Sequence, residues 1–188
     1  MTTRLSFFQR LWGACRLHAD TYEEIGADPP ALRQAAGVMA VVVLCTGVGA
    51  WLETQTWRTG PSDSAALALI VARTLEPLVL WLGGSAFAYM VGATFLRGPE
   101  TETDYAEVLR TVGFAFAPGV LFLFGFLSPA PLGLAILGIG RAWVLVASIV
   151  AVRQALDFST WRAIGTFGAA SIILWLVVWG LAVVPLPV

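Results

Sequence analysis

From Thr111 to Leu127 the chain reads TVGFAFAPGVLFLFGFL without one charged residue, and Pro118 stands near its middle. A proline inside a helix removes one N–H and crowds the carbonyl four residues back. A soluble helix loses stability there, whereas in a membrane neighbouring helices and local rewinding can satisfy the freed carbonyl. The entry to this stretch is polar. Asp104 is placed to cap a first turn, and Glu107 three residues on can reach back to the cap's own N–H. The segment therefore reads as a membrane span entered from an acidic loop. Two comparable apolar stretches precede it and two follow, so it is the third of five.

Composition matters here because it leaves no room for another class. Of 188 residues 58% are hydrophobic and only 12% charged, with 8 Trp and 19 Gly, the profile of packed membrane helices. A net charge of −1 argues against a nucleic-acid partner. All 11 basic residues are arginine, as a GC-rich coding sequence gives, and a bacterial inner-membrane protein is expected. Cys15 and Cys45 are expected to be free thiols. The first 30 residues carry seven charges and no uninterrupted apolar run, so a cleavable signal peptide is not expected.

The expected fold is all-α: a polytopic helical bundle with five transmembrane helices and an amino-terminal interfacial amphipathic helix. Residues 1–30 form a cytoplasmic interfacial segment and residues 31–188 the transmembrane domain. Between Arg4 and Ala19, Leu5, Phe8, Trp12 and Cys15 recur at helical spacing, with Gln9, Arg10 and Arg16 on other faces, which suits a helix lying among headgroups. Thr21 and Glu24 make a possible capping box for a short turn. Asp28 before Pro29 and Pro30 is a helix start.

The expected spans are 31–53, 77–96, 108–127, 132–152 and 164–184. Residues 64–96 would make a helix of about 50 Å at ~1.5 Å per residue, against a hydrocarbon core of about 30 Å. An outer extension at 64–76, broken at Pro77, resolves the excess. With the amino terminus inside, Arg4, Arg10, Arg16, Arg33, Arg97, Arg110, Arg153 and Arg162 fall on the cytoplasmic side and Arg58 outside. This arginine bias sets the orientation, with the carboxyl terminus outside.

Chemistry-bearing residues are sparse. His18 is the only histidine and lies outside every expected span, so neither a zinc H-E-x-x-H motif nor a serine–histidine pair can be assembled. Gly83-Gly84-Ser85-Ala86 reads as close helix packing rather than a nucleophile turn, and no metal or cofactor site is expected. Three features remain. Arg141, nine residues into the fourth span, is an intramembrane charge and hence a candidate functional residue. Arg73, Glu76 and Glu53 lie at similar height and complete a charge network, with Glu76 the first expected partner of Arg141. Gly84, Ala88 and Gly92 at four-residue intervals, and Gly165 with Ala169, form small-residue faces for helix packing or a partner. Tyr22, Glu23 and Glu24 form a candidate cytoplasmic interaction segment.

The order of YEEIGADP before the first span, YAEVLRTVGFAFAPGVL in the third, and AWVLVASIVAVRQALDFSTWRAI from the fourth into the fifth resembles the Yip family. Its members are five-span membrane proteins, and the eukaryotic ones interact with Ypt/Rab GTPases. The resemblance covers nearly the whole chain. It implies five helices, an inner amino terminus and no known catalytic centre. The longer partner-binding motif of the eukaryotic members is absent here, so the resemblance does not carry GTPase binding over. The expected function is a non-enzymatic membrane scaffold or interaction protein, an accessory subunit with membrane lipids and a protein partner or second copy around it. The alternative is a small transporter or channel component with a polar site near Arg141.

Overall fold

The computed structural model describes residues 5–56, 63–92, 104–156 and 159–166. All regular structure among them is helical.

Helix α1 spans Phe7–Cys15 and α2 spans Ala19–Ala27. Ser6 caps α1 reciprocally: its hydroxyl accepts the Gln9 N–H, while the Gln9 side chain accepts the Ser6 N–H at 2.8 Å. The single helix expected to Ala19 instead stops at Cys15. Leu17 takes φ 62°, and the amides of Leu17 and His18 close onto the carbonyls of Ala14 and Gly13. That is a left-handed helix stop which usually recruits glycine. Leucine is tolerated because its side chain packs against the core. Helix α2 begins before the capping box expected at Thr21; Thr21 sits inside it, buried against Gly13.

After the Pro29-Pro30 turn, α3 runs Ala31–Thr56. Its buried residues Ala31, Ala35, Val38, Met39, Val42, Thr46 and Gly49 recur at helical spacing and form one stripe. Val41, Leu44, Val48 and Trp51 on the other side are also apolar yet exposed. Helix α4 spans Asp63–Met90 and continues through Pro77, so the expected break is absent.

Helix α5 covers Tyr105–Ala115 and starts as expected, with the Asp104 carboxylate accepting the Glu107 N–H at 2.6 Å. The third apolar stretch is not one α-helix, however. From Ala117 to Leu127 it winds as a 3-10 helix, bent by 47° from α5. Runs of this length are uncommon. Pro118 cannot continue the α ladder, and the chain tightens at once: the Gly119 N–H reaches the Phe116 carbonyl, three residues back, at 2.7 Å. Helix α6 follows a short turn and spans Pro131–Ala155.

The α5/3-10 element is the centre of the fold, with α3 packed on one side and α6 on the other. Glycines permit the approach. A Cβ at Gly49 of α3 would stand 2.6 Å from the Phe122 carbonyl oxygen, and one at Gly113 would stand 2.7 Å from Ala35 Cβ. Helix α4 is peripheral. Trp81 Nε1 donates to the Leu109 carbonyl at 2.8 Å and the Tyr105 hydroxyl to the Leu82 carbonyl at 3.0 Å, which fixes α4 to α5. Helices α4 and α6 scarcely touch.

Three helical stretches, Ala31–Thr56, Ala66–Met90 and Pro131–Ala155, are long and apolar enough to cross a membrane, or four if the bent α5/3-10 pair is one crossing. The fifth expected span, 164–184, lies outside the described residues except for 164–166, which belong to a helical stretch described from 160 to 166.

Candidate functional site

Two polar constructions interrupt this apolar bundle. The first ties α1 and α2 to the long helices. Arg10 is 2% exposed. Its Nε and Nη2 donate to the two Glu24 carboxylate oxygens at 2.9 and 2.8 Å, Nη2 also to Asp28 at 2.7 Å, and Nη1 to the Gln34 side chain at 2.9 Å. A buried guanidinium needs this much compensation, and its planar fork suits bidentate carboxylate pairing. The hydrogen bonds to Glu24 raise the Arg10 pKa further above its ordinary value, against a lowering by burial.

The second tie comes from α5. Arg110 donates to the carbonyls of Ile25 and Gly26, in the last turn of α2. Helix ends leave carbonyls unsatisfied and concentrate negative dipole; α2 has no basic residue in its last turn, and Arg110 supplies one from 84 residues away. Tyr22 is wholly buried and its hydroxyl donates to the Ala14 carbonyl at 3.0 Å. Burial pushes the Tyr22 phenol far up. Trp143 of α6 donates to the Cys15 carbonyl at 2.9 Å, and the Phe7 and Phe114 rings are 6.2 Å apart. Helix α1 thus packs against α5 and the 3-10 segment, with its last carbonyl within reach of a side chain of α6. Its outward side carries Phe8, 77% exposed, and Trp12, 65% exposed, the latter with the Arg16 guanidinium 5.3 Å from its ring.

Of the expected interaction segment, Tyr22 and Glu24 are therefore turned inward as structural ties, and Glu23 is exposed. Arg10 and Arg110 were not singled out by sequence. A signal for Arg10 exists: an arginine between Leu11-Trp12 and Phe7-Phe8, followed by the acidic Glu24 and Asp28. Arg110 has a similar one, standing one residue before the charge-free run.

The second construction is a cavity of about 780 Å³ between α4 and α6, backed by α3, α5 and the 3-10 segment. Arg73, Glu76, Arg141 and Glu53 all line it. Arg141 Nη2 lies 3.8 Å from Glu76 Oε1, with side chains 57% and 43% exposed, beyond hydrogen-bonding distance. No hydrogen bond or ion pair joins Arg73 or Glu53 to another described residue. The remaining wall is almost entirely apolar, including Val79, Leu80, Leu137 and Leu145. Ser148, 1% exposed, also lines it, and its hydroxyl has no partner among the described residues.

Gly84 belongs to this cavity rather than to a packed ladder, since a Cβ there would meet nothing within 4 Å. The packed face of α4 carries Trp81, Ser85 and Ala88, all buried, with Gly92 buried beyond the helix end. A Cβ at Gly165 likewise meets nothing within 4 Å. Ala169 lies outside the described residues.

Long helices that are apolar on packed and exposed sides alike, joined by the small polar ties just described, define a helical integral membrane protein. The Yip1 domain model matches residues 17–182, and the chain belongs to that family. The family is not known as one of enzymes. No curated protein and no solved structure matches the chain.

Proposed function

We propose that this protein is a non-enzymatic membrane scaffold or interaction protein of the Yip type, acting as an accessory subunit of a membrane assembly. One observation carries the reading: α1 and α2 are clamped onto the bundle by the buried Arg10 and Arg110. A surface held by its own ion pairs loses little conformational freedom when a partner binds. The exposed Glu23 and Asp20 of α2 give that surface its acidic side. In this reading the chain crosses a bacterial inner membrane five times, through α3, α4, the α5/3-10 pair, α6 and residues 164–184, with the amino terminus inside. Residues 1–30 are the cytoplasmic and interfacial part and residues 31–188 the membrane domain. Phe8 and Trp12 anchor α1 among lipid headgroups.

The test has two arms. Photo-crosslinking from Glu23 and Asp20 positions in native membranes should give discrete adducts that disappear in Arg10→Met, while crosslinkers on the lipid-facing Leu69 should not give them. Loss of the adducts from wild type would sink the interaction reading. Replacing Phe8 and Trp12 with Ser should raise amide exchange of α1 in proteoliposomes while leaving α3 and α6 protected; unchanged exchange would mean that α1 is not membrane-anchored.

A second reading, a small transporter or channel component, is favoured by the four charges lining the α4/α6 cavity. Solute flux in proteoliposomes that falls with Arg141→Met would support it over the scaffold.

A further inference from the structure

The cavity between α4 and α6 brings together two arginines, two carboxylates and a long apolar wall. We propose that it binds one zwitterionic phospholipid, its phosphate held by Arg141 and Arg73, its ammonium by Glu76 and Glu53, and an acyl chain lying along Val79, Leu80 and Leu145. The inference is independent of the scaffold reading, because a scaffold and a transporter can both hold a lipid.

Charge is the first argument. Ionic side chains away from water need partners of opposite sign with good geometry. The four present are balanced two against two, yet the one close approach among them, Arg141 to Glu76, is 3.8 Å, too long for a hydrogen bond. A ligand carrying one anionic and one cationic centre completes both signs and keeps the site neutral. An anionic lipid would add uncompensated negative charge beside Glu53 and Glu76, and a plain hydrocarbon would leave all four charges as they are.

Shape agrees. A volume of 780 Å³ falls within the roughly 300–1,000 Å³ of small-molecule sites. Ser148 lies seven residues beyond Arg141 on the same side of α6, about 10 Å along the axis. Its buried, unpartnered hydroxyl adds one polar point to the wall beyond Leu145, deeper than the charged end. Helix α4 leaves the entrance open, because it is fixed to α5 and scarcely touches α6.

The full-length protein in detergent is titrated with phosphatidylethanolamine, phosphatidylglycerol and diacylglycerol, and retained lipid is read by native mass spectrometry. Phosphatidylethanolamine is expected to bind at least about tenfold more tightly than either of the others, the scale of one charge-assisted hydrogen bond. Arg141→Met should lower that affinity about tenfold, and Glu53→Gln with Glu76→Gln should remove the preference over phosphatidylglycerol. Gly84→Trp fills the cavity from a position where a Cβ meets nothing and should abolish retention at an unchanged unfolding temperature. Leu145→Trp, at the exposed mouth, is the second blocking variant should Gly84→Trp not fold. Equal retention of the three lipids, tighter binding of phosphatidylglycerol, or retention that survives a folded blocking variant overturns the proposal.

Discussion

Arg10 and Glu24 meet through two parallel contacts, Nε to Oε2 at 2.9 Å and Nη2 to Oε1 at 2.8 Å. The same guanidinium also reaches Asp28 and Gln34, so one side chain joins α1, α2 and α3. Arg10→Met removes the centre of this arrangement and leaves two carboxylates facing each other. It should destabilise docking of α1 and α2 by about 3 kcal/mol. Limited proteolysis in detergent checks this: cleavage near Leu17 should accelerate strongly while α3 stays protected. An unchanged cleavage rate would show that the apolar contacts of Phe7 and Leu11 hold the segment alone.

Arg110 tests the same docking from the other side. Its fork reaches two successive carbonyls, Ile25 and Gly26, which a lysine ammonium on a flexible stem does not reproduce. Arg110→Lys should therefore lose most of what Arg110→Met loses, about 1.5 to 3 kcal/mol for hydrogen bonds to a charged group. Hydrogen exchange over Ala19–Ala27 is the measurement. Full retention of protection in the lysine variant would reduce Arg110 to a point charge.

Cys15 supplies a pH-dependent readout of the docked state. Burial pushes its thiol pKa up, and the thiolate is the reactive form. In a Cys45→Ala background, alkylation of Cys15 should therefore trail free cysteine at pH 8 and rise only at higher pH. Arg10→Met, by releasing α1, should shift the profile down toward the free thiol. A profile matching free cysteine in the unmodified protein would contradict the burial.

The Glu76–Arg141 pair is expected to couple weakly in detergent. At 3.8 Å with both side chains half exposed, a double-mutant cycle of Arg141→Met and Glu76→Leu should give less than about 1 kcal/mol. Arg141→Met should be tolerated better, since it leaves an acid rather than the deeper arginine alone. Coupling above that bound would indicate a desolvated pair.

Orientation is checked by labelling. A cysteine introduced at Ser62 should react with an impermeant reagent from outside, and one at Thr101 only after the membrane is opened. The reverse pattern would invert the proposed topology.

Helices α3 and α6 were legible as spans because their apolar runs are long enough for a bilayer, and the Asp104 start was legible because a cap and its amide are neighbours in sequence. Where the reading failed, the deciding contact was remote or a local penalty was offset by packing. Arg110 looks like one more cytoplasmic arginine until α2, 84 residues earlier, is laid against it. Leu17 gives no stop signal, since a leucine in the left-handed region is chosen by what its side chain touches. Pro77 and Pro118 are the same residue type in two apolar helices. One is absorbed and the other rewinds the chain, and composition does not separate them. The four cavity charges were legible as one network at similar height; that they line an open cavity follows only from α4 standing apart from α6.

Taken as one crossing, the bent α5/3-10 pair fits a bilayer whose thickness depends on the 3-10 winding after Pro118. As a straight α-helix the charge-free run from Thr111 to Leu127 would reach only about 26 Å at ~1.5 Å per residue, short of the roughly 30 Å hydrocarbon core. Wound as 3-10 from Ala117 onward, at ~2.0 Å per residue, it follows a path of roughly 31 Å. With the 47° bend shared equally between its halves, its projection on the membrane normal is still roughly 28 Å. The proline that costs α-helical bonds lengthens the segment by roughly twice what the bend takes away, so a single crossing of this shape would match an ordinary bilayer.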